Sequence, residues 1–239
     1  AMACPQKDLK TVLKALRALN YQGLNVTIPH KQEAALLCKS LSPLAKRLGA
    51  VNTLYPNGEG EWNGTNTDVA GFLAPLKSLN LDTERATIIG SGGSSRAVIA
   101  SLEELDFNQV TIISRTPNKA NSLMKTFIDS NLSLRVLEIN DPRIIEEIKR
   151  SKLIVNTTPL GMKSSEGEHP NTVQTPLGDE LWMHLNKETI LYDLIYNPIK
   201  TKWLKIGESK GCKIINGLNM LVHQGALSIK LWSGFDSIP

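Results

Sequence analysis

Thr87-Ile88-Ile89-Gly90-Ser91-Gly92-Gly93-Ser94-Ser95 runs from a mostly apolar segment into a glycine turn and then into a helical pattern. An apolar run of this length, closed by glycines, reads as a strand buried on both faces, as a parallel sheet requires. Glycines let backbone approach a pyrophosphate closely, while N–H groups and the dipole of the following helix offset its charge. Ser94 is expected to cap that helix. Ser95 stands at the third glycine position of G-x-G-x-x-G and is small enough for close helix–sheet packing. A glycine turn alone also ends strands for steric reasons, but here the flanking strand and helix that the motif needs are both present. Gly90, Ser91, Gly92, Gly93 and Ser94 are therefore candidate dinucleotide-binding residues.

Around this turn the texture is regular. Strands are predicted over 86–90, 110–114, 134–138, 153–156 and 190–193, with a weaker sixth over 213–215. Amphipathic helices are predicted over 94–105, 117–130, 141–150 and 201–210, and a final helix over 218–232. Apolar strands alternating with such helices call for a parallel sheet covered on both faces and wound right-handedly. The fold class is α/β: a doubly wound parallel sheet of the Rossmann type, with a smaller α/β substrate-binding domain before it. The expected division is 1–68 for the smaller domain, 69–217 for the dinucleotide domain, and 218–239 for a helix packing back on the first.

In the first region, Leu9, Val12, Leu13, Leu16 and Leu19 follow Pro5 at helical spacing, with Gly23 as the expected stop. A strand over 24–27, a helix over 33–39 and a hairpin of 50–55 with 61–65 around Asn57-Gly58 follow, then a helix over 68–79. The one long irregular stretch is 162–187, and a loop of that length usually has a role or is mobile.

The end of the second predicted strand decides which dinucleotide. A site for NAD wants Asp or Glu there to accept from the ribose 2′-hydroxyl. This chain has Ser114-Arg115-Thr116-Pro117-Asn118-Lys119 instead. A guanidinium matches a 2′-phosphate in charge and fork geometry, whereas a carboxylate would repel it. Ser114 and Thr116 add hydroxyl donors and Lys119 lies one turn into the next helix, so the expected cofactor is NADP(H).

The 239 residues, 41% of them hydrophobic, suffice for one large or two small cores. No run reaches the roughly 18 apolar residues a spanning helix needs, and the first residues lack the basic start of a signal peptide. The +4 charge is scattered, which argues against nucleic acid as a partner. Cys4, Cys38 and Cys212 are odd in number and show no C-x-x-C spacing. A reduced, cytoplasmic compartment is therefore expected, with no zinc site. A homodimer is left open.

Two further phrases carry chemistry. Asn25-Val26-Thr27-Ile28-Pro29-His30-Lys31 and Gly64-Thr65-Asn66-Thr67-Asp68 each set small hydrogen-bonding groups beside an ionisable side chain, and Gly49-Ala50-Val51-Asn52-Thr53 lies between them. One supplies an ammonium and the other a carboxylate. Together with the cofactor turn they read as an enzyme that presents a small polar substrate to a nicotinamide. Taken singly, Lys31 and Asp68 would be surface charges, Asn52 and Asn66 turn formers, and Tyr196 and Met220 ordinary packing. His30 and His223 are read as structural. Only the joint pattern lifts Lys31 and Asp68 above that background.

These phrases, as they stand, resemble the shikimate dehydrogenases. The N-V-T-x-P-x-K phrase falls at 25–31, G-A-V-N-T at 49–53, G-x-N-T-D-x-x-G at 64–71 and the G-x-G-G turn at 90–93. The family's N-R-T stands here as Ser114-Arg115-Thr116, followed by N-x-T-x-x-G-M at 156–162, D-x-x-Y-x-P at 193–198 and G-x-x-M-L-x-x-Q at 217–224. The resemblance implies reversible NADPH-dependent reduction of 3-dehydroshikimate to shikimate. It implies Lys31 and Asp68 as the catalytic pair, with Thr27, Asn52, Tyr196 and Gln224 on the substrate. Leu194, Gly217 and Met220 would surround the nicotinamide. The chemistry fits, since reducing a ring ketone needs a proton source beside the oxygen that gains charge. The site is expected in a cleft between the domains, outside the carboxyl ends of the strands. The rivals are a quinate/shikimate dehydrogenase using NAD and a non-catalytic NADP-binding sensor.

Two departures stand out. The family opens with a strand and a Ser-x-Ser phrase that grips the substrate carboxylate, whereas Ala1-Met2-Ala3-Cys4 resembles the tail of its second strand. The chain is accordingly expected to be a fragment. Pro43 stands where the family commonly has an acidic residue, a role proline cannot take.

Overall fold

The structure, a computed structural model, describes residues 2–163 and 174–234. It divides into two compact units, Ala1–Gly71 with Val222–Pro239 and Phe72–Leu221.

In the first unit a short 3-10 turn, Gln6–Asp8, leads into α1, Leu9–Ala18. Leu9, Leu13 and Leu16 bury its apolar face against Val26, Ala34, Ala35, Leu54 and Trp62. The helix stops before Gly23, because Asn20 takes a left-handed φ of 60° there, a conformation its short polar side chain tolerates. Gly23 serves a different purpose: a Cβ on it would sit 2.0 Å from the indole of Trp232.

The sheet of this unit is mixed. Its strands are β1 (Leu24–Asn25), β2 (Ser40–Leu41), β3 (Thr53–Pro56) and β4 (Trp62–Thr65), in the order β1-β3-β4-β2. Between them lie α2 (Lys31–Leu37) and α3 (Pro43–Leu48). α3 was not anticipated. Ser42 caps it by accepting from the Ala45 N–H at 3.2 Å, and Pro43 takes the first helical position, where its missing N–H is harmless. The β3–β4 hairpin turns through five residues rather than two. Asn57 Oδ1 accepts from the Glu59 and Glu61 N–H groups, and Gly60 supplies the positive φ of 83°. α4 (Asp68–Leu73) ends six residues earlier than its pattern suggested, since Pro75 disfavours helix at residue 74 and offers no N–H.

The second unit is a six-stranded parallel sheet in the order β10-β9-β8-β5-β6-β7. The strands are β5 (Arg85–Ile89), β6 (Gln109–Ser114), β7 (Ser133–Glu138), β8 (Leu153–Asn156), β9 (Ile190–Asp193) and β10 (Lys213–Ile215). This is the doubly wound arrangement, with its switch point between β5 and β8. Ile89, Ile113, Leu137, Ile154 and Leu191 share one face of the sheet and pack on α7 (Ile144–Arg150) and α8 (Lys202–Ser209). α5 (Gly93–Glu104) and α6 (Pro117–Lys125) complete the helices that follow β5 and β6, and α9 (Leu218–Ser233) begins here and ends in the first unit. Ser94 is not the cap of α5: Gly92 holds that position and Ser94 lies inside the first turn.

Of the irregular stretch over 162–187, residues 164–173 lie outside the described ones. The rest contains a 3-10 turn, Asp179–His184, whose Trp182 packs against Trp203 with ring centroids 5.4 Å apart.

Candidate active site

In the first unit the ends of short elements deliver a buried polar cluster. Lys31 opens α2 and Asp68 opens α4, and both are buried. Lys31 Nζ donates to Asp68 Oδ2 at 2.7 Å. The other carboxylate oxygen, Oδ1, accepts from Asn52 Nδ2 at 2.9 Å. The loop before α4 is locked by Asn66, whose Oδ1 accepts from the Asp68 N–H at 3.0 Å and whose Nδ2 donates to the Ala50 carbonyl. The Lys31 carbonyl accepts from the Val51 N–H at 2.8 Å, which ties the start of α2 to the segment carrying Asn52.

A buried ion pair is favourable only when further hydrogen bonds satisfy the charges. Here Asn52 provides one to the carboxylate. Gln224, from α9, brings Oε1 within 3.2 Å of Asn52 Nδ2 and 3.4 Å of Thr67 Oγ1. Lys31, Asp68, Asn52 and Gln224 are thus brought together. Thr27, in the loop before α2, is exposed, and its carbonyl accepts from the His30 N–H. His30 is buried with Nδ1 unpartnered, and His223 is exposed.

In the second unit the carboxyl ends of the strands carry the other named residues. Gly90 has a φ of 113°, and a Cβ on it would lie 2.4 Å from Thr157 Oγ1, so both conformation and space demand glycine. Thr157 in turn donates to the Ile89 carbonyl at 2.8 Å and meets Ser95 Oγ at 2.8 Å. This explains a serine at the third glycine position: it bonds the loop after β8 across the switch point. A Cβ built on Gly92 meets nothing within 4 Å, and Gly92, as the N-cap of α5, brings no side chain of its own to that helix start. Open space and a glycine at the helix start fit the phosphates of a dinucleotide.

Ser114 is buried, and its hydroxyl is engaged with Ser91 Oγ at 2.8 Å and with the Thr116 N–H at 3.1 Å. It ties the glycine turn to the loop beyond β6. Arg115, Thr116 and Lys119 are exposed on that loop and the first turn of α6. At the end of β9, Leu194 is half-buried and Tyr196 is 48% exposed. Gly217 donates to the Ile195 carbonyl, and a Cβ on it would lie 2.1 Å from the Leu194 carbonyl oxygen, a backbone atom that cannot step aside. Met220, in the first turn of α9, is buried.

One group in this unit was missed. Asp193 and Asn156 are register partners on β9 and β8, both fully buried. Asp193 accepts from Asn156 Nδ2, the Ile195 N–H and Thr201 Oγ1 at 2.8 to 3.1 Å. Burial among these neutral donors pushes its carboxyl up to about 7. Among the described residues no group of three His, Cys, Asp or Glu could hold a metal ion, and no helix is long and apolar enough to cross a membrane.

Comparison with known proteins agrees along the chain. Residues 1–54 match the family model for the shikimate dehydrogenase substrate binding domain, 73–159 match shikimate/quinate 5-dehydrogenase, and 217–236 match the shikimate 5′-dehydrogenase C-terminal domain. A shikimate dehydrogenase (NADP(+)) of Prochlorococcus marinus strain MIT 9312 is 45% identical over all 239 residues, which span 82% of that protein. The chain belongs to the shikimate dehydrogenase family. Among solved structures, Listeria monocytogenes shikimate 5-dehydrogenase in complex with shikimate and NAD is 30% identical with a TM-score of 0.82, over 98% of this chain and 81% of that one. The Thermus thermophilus enzyme in complex with NADP(H) and shikimate is 34% identical with a TM-score of 0.77, over 97% and 80%.

Proposed function

We propose that the chain catalyses the reversible NADPH-dependent reduction of 3-dehydroshikimate to shikimate, a step of chorismate and aromatic amino-acid biosynthesis. The observation that carries this reading is the buried Lys31–Asp68 pair, 2.7 Å apart, in a chain of this family. Gly90 to Ser94 would cradle the pyrophosphate, and Arg115 with Thr116 and Lys119 would face the 2′-phosphate. Leu194, Gly217 and Met220 would border the nicotinamide. When bound, NADPH supplies the hydride.

The remaining work falls to this chain's own side chains. The Lys31 ammonium stabilises the ketone oxygen as charge develops on it and hands over a proton from Nζ. Asp68 holds that ammonium in place. A carboxylate has about four acceptor sites, and Lys31 and Asn52 occupy one on each oxygen, so Asp68 can still accept from a substrate hydroxyl. Asn52, Gln224, Thr27 and Tyr196 are assigned to the remaining hydroxyls.

Three cysteines without a disulfide support a reducing compartment, and we place the protein in the cytoplasm. A homodimer is the assembly to test, by light scattering. The deciding assay is NADPH oxidation with 3-dehydroshikimate, run beside quinate and NAD. Turnover should require 3-dehydroshikimate and favour NADPH. A preference for quinate with NAD would hand the assignment to the rival enzyme, and cofactor binding without turnover would favour a sensor.

A further inference from the structure

Behind the Lys31–Asp68 pair runs a chain of neutral groups that ends on α9. Asn52 Oδ1 accepts from the Thr67 N–H at 2.8 Å and from Thr53 Oγ1 at 2.9 Å. Two donors converging on that oxygen fix the amide orientation, because a flipped amide would set N–H against N–H. The amide nitrogen of Asn52 is thereby turned onto Asp68 Oδ1. Thr53 Oγ1 lies 2.8 Å from Ser228 Oγ, and both residues are fully buried. Asn25 Nδ2 spans the pair, 3.1 Å from Thr53 Oγ1 and 2.9 Å from Ser228 Oγ. One turn on from Ser228, Trp232 Nε1 donates to the Leu54 carbonyl at 2.9 Å, so α9 is pinned to β3 at two successive turns.

We propose that Thr53 and Ser228 are positioning residues for the reaction: their hydroxyls hold the Asn52 amide so that it orients the Asp68 carboxylate toward Lys31. Thr53 donates to Asn52 and Asn52 donates to Asp68, and the single Ser228 proton is shared between Thr53 Oγ1 and the Gln224 carbonyl. Hydrogen bonds aligned in this way polarise one another in a dry interior. Neither hydroxyl touches the carboxylate. They act through Asn52, and Ser228 also meets the Gln224 carbonyl at 3.0 Å, so it steadies the turn that presents the Gln224 amide.

The proposal rests on the dehydrogenase reading, and the experiment separates the two. Wild type, Lys31→Met, Thr53→Val, Thr53→Ser, Ser228→Ala and Ser228→Thr are assayed as purified full chains with 3-dehydroshikimate and NADPH. Activity in wild type that is lost in Lys31→Met keeps the reading; inactive wild type sinks the reading and not the relay. Thr53→Val keeps the shape of threonine and deletes its hydroxyl. It should lower kcat roughly threefold to tenfold, the range that one net hydrogen bond allows. The pH profile of kcat should move with it, while the NADPH dissociation constant stays at the wild-type value. Ser228→Ala should do the same to a lesser degree, and Thr53→Ser and Ser228→Thr should restore both kcat and profile. A role confined to stability would alter melting and leave kcat and pH profile per folded enzyme unchanged, which would overturn the proposal. Equal impairment in Thr53→Ser, which keeps the hydroxyl, and Thr53→Val, which deletes it, would also overturn it, because the effect would not follow the hydroxyl.

Discussion

Asp193→Asn tests whether burial or hydrogen bonding governs the polar rivet at the carboxyl ends of β8 and β9. The Asp193 carboxyl is fully buried and accepts from three neutral donors. Desolvation outweighs those bonds and raises it from 3.8 to about 7. Because the folded pKa exceeds the unfolded one, the folded chain holds this proton more tightly between those values. The resulting stability is fully present below about pH 4 and is lost as pH rises through 7. At about 1.4 kcal/mol per pH unit, the gap corresponds to roughly 4 kcal/mol. Asparagine is nearly isosteric: its oxygen can accept from Asn156 and Ile195 while its amide meets the Thr201 hydroxyl, much as a protonated carboxyl would. The variant should therefore match wild type near pH 4 and exceed it by up to roughly 4 kcal/mol at pH 8. Urea melts followed by circular dichroism from pH 4 to 8.5 measure the difference, in which contributions from all other carboxylates cancel. A difference that stays constant with pH would refute the argument. A variant that loses ground as pH rises would mean that the three hydrogen bonds keep Asp193 ionised throughout.

Lys31→Ala should lower kcat by about 10²–10⁴ with a smaller change in KM, since its proton and charge matter most in the transition state. It should also destabilise the first unit by about 3–5 kcal/mol, because it strands a buried carboxylate. Near-normal kcat in steady-state assays would remove Lys31 from the chemistry. Arg115→Asp should weaken NADP(H) far more than NAD(H), as a charge-assisted phosphate contact becomes repulsive. Titration calorimetry showing equal losses for both would make Arg115 a structural residue.

The doubly wound sheet was legible because strands buried on both faces leave continuous apolar runs, and β8, β9 and β10 fall where those runs do. Helix ends were less legible wherever a single side chain–backbone bond decides them. Asn20 closes α1 ahead of Gly23, and Asp141 turns the chain by accepting from the Arg143 N–H, which delays α7 to Ile144. The charged members of the proposed site, Lys31 and Asp68, could be singled out only through the joint pattern of the phrases that carry them. The hydroxyls that hold them could not. Thr53 and Ser228 are 175 residues apart, and nothing in a threonine on a strand or a serine on a helix marks it as buried against the other. The only signal available was spacing: Gln224, Ser228 and Trp232 recur every four residues, which puts them on one face of a helix. A glutamine, a serine and an indole on one stripe each bring a polar group to a buried surface, and such groups must find partners there. That requirement ties α9 to residues 52–54, so the most distant part of the sequence ends up governing the orientation of the ion pair.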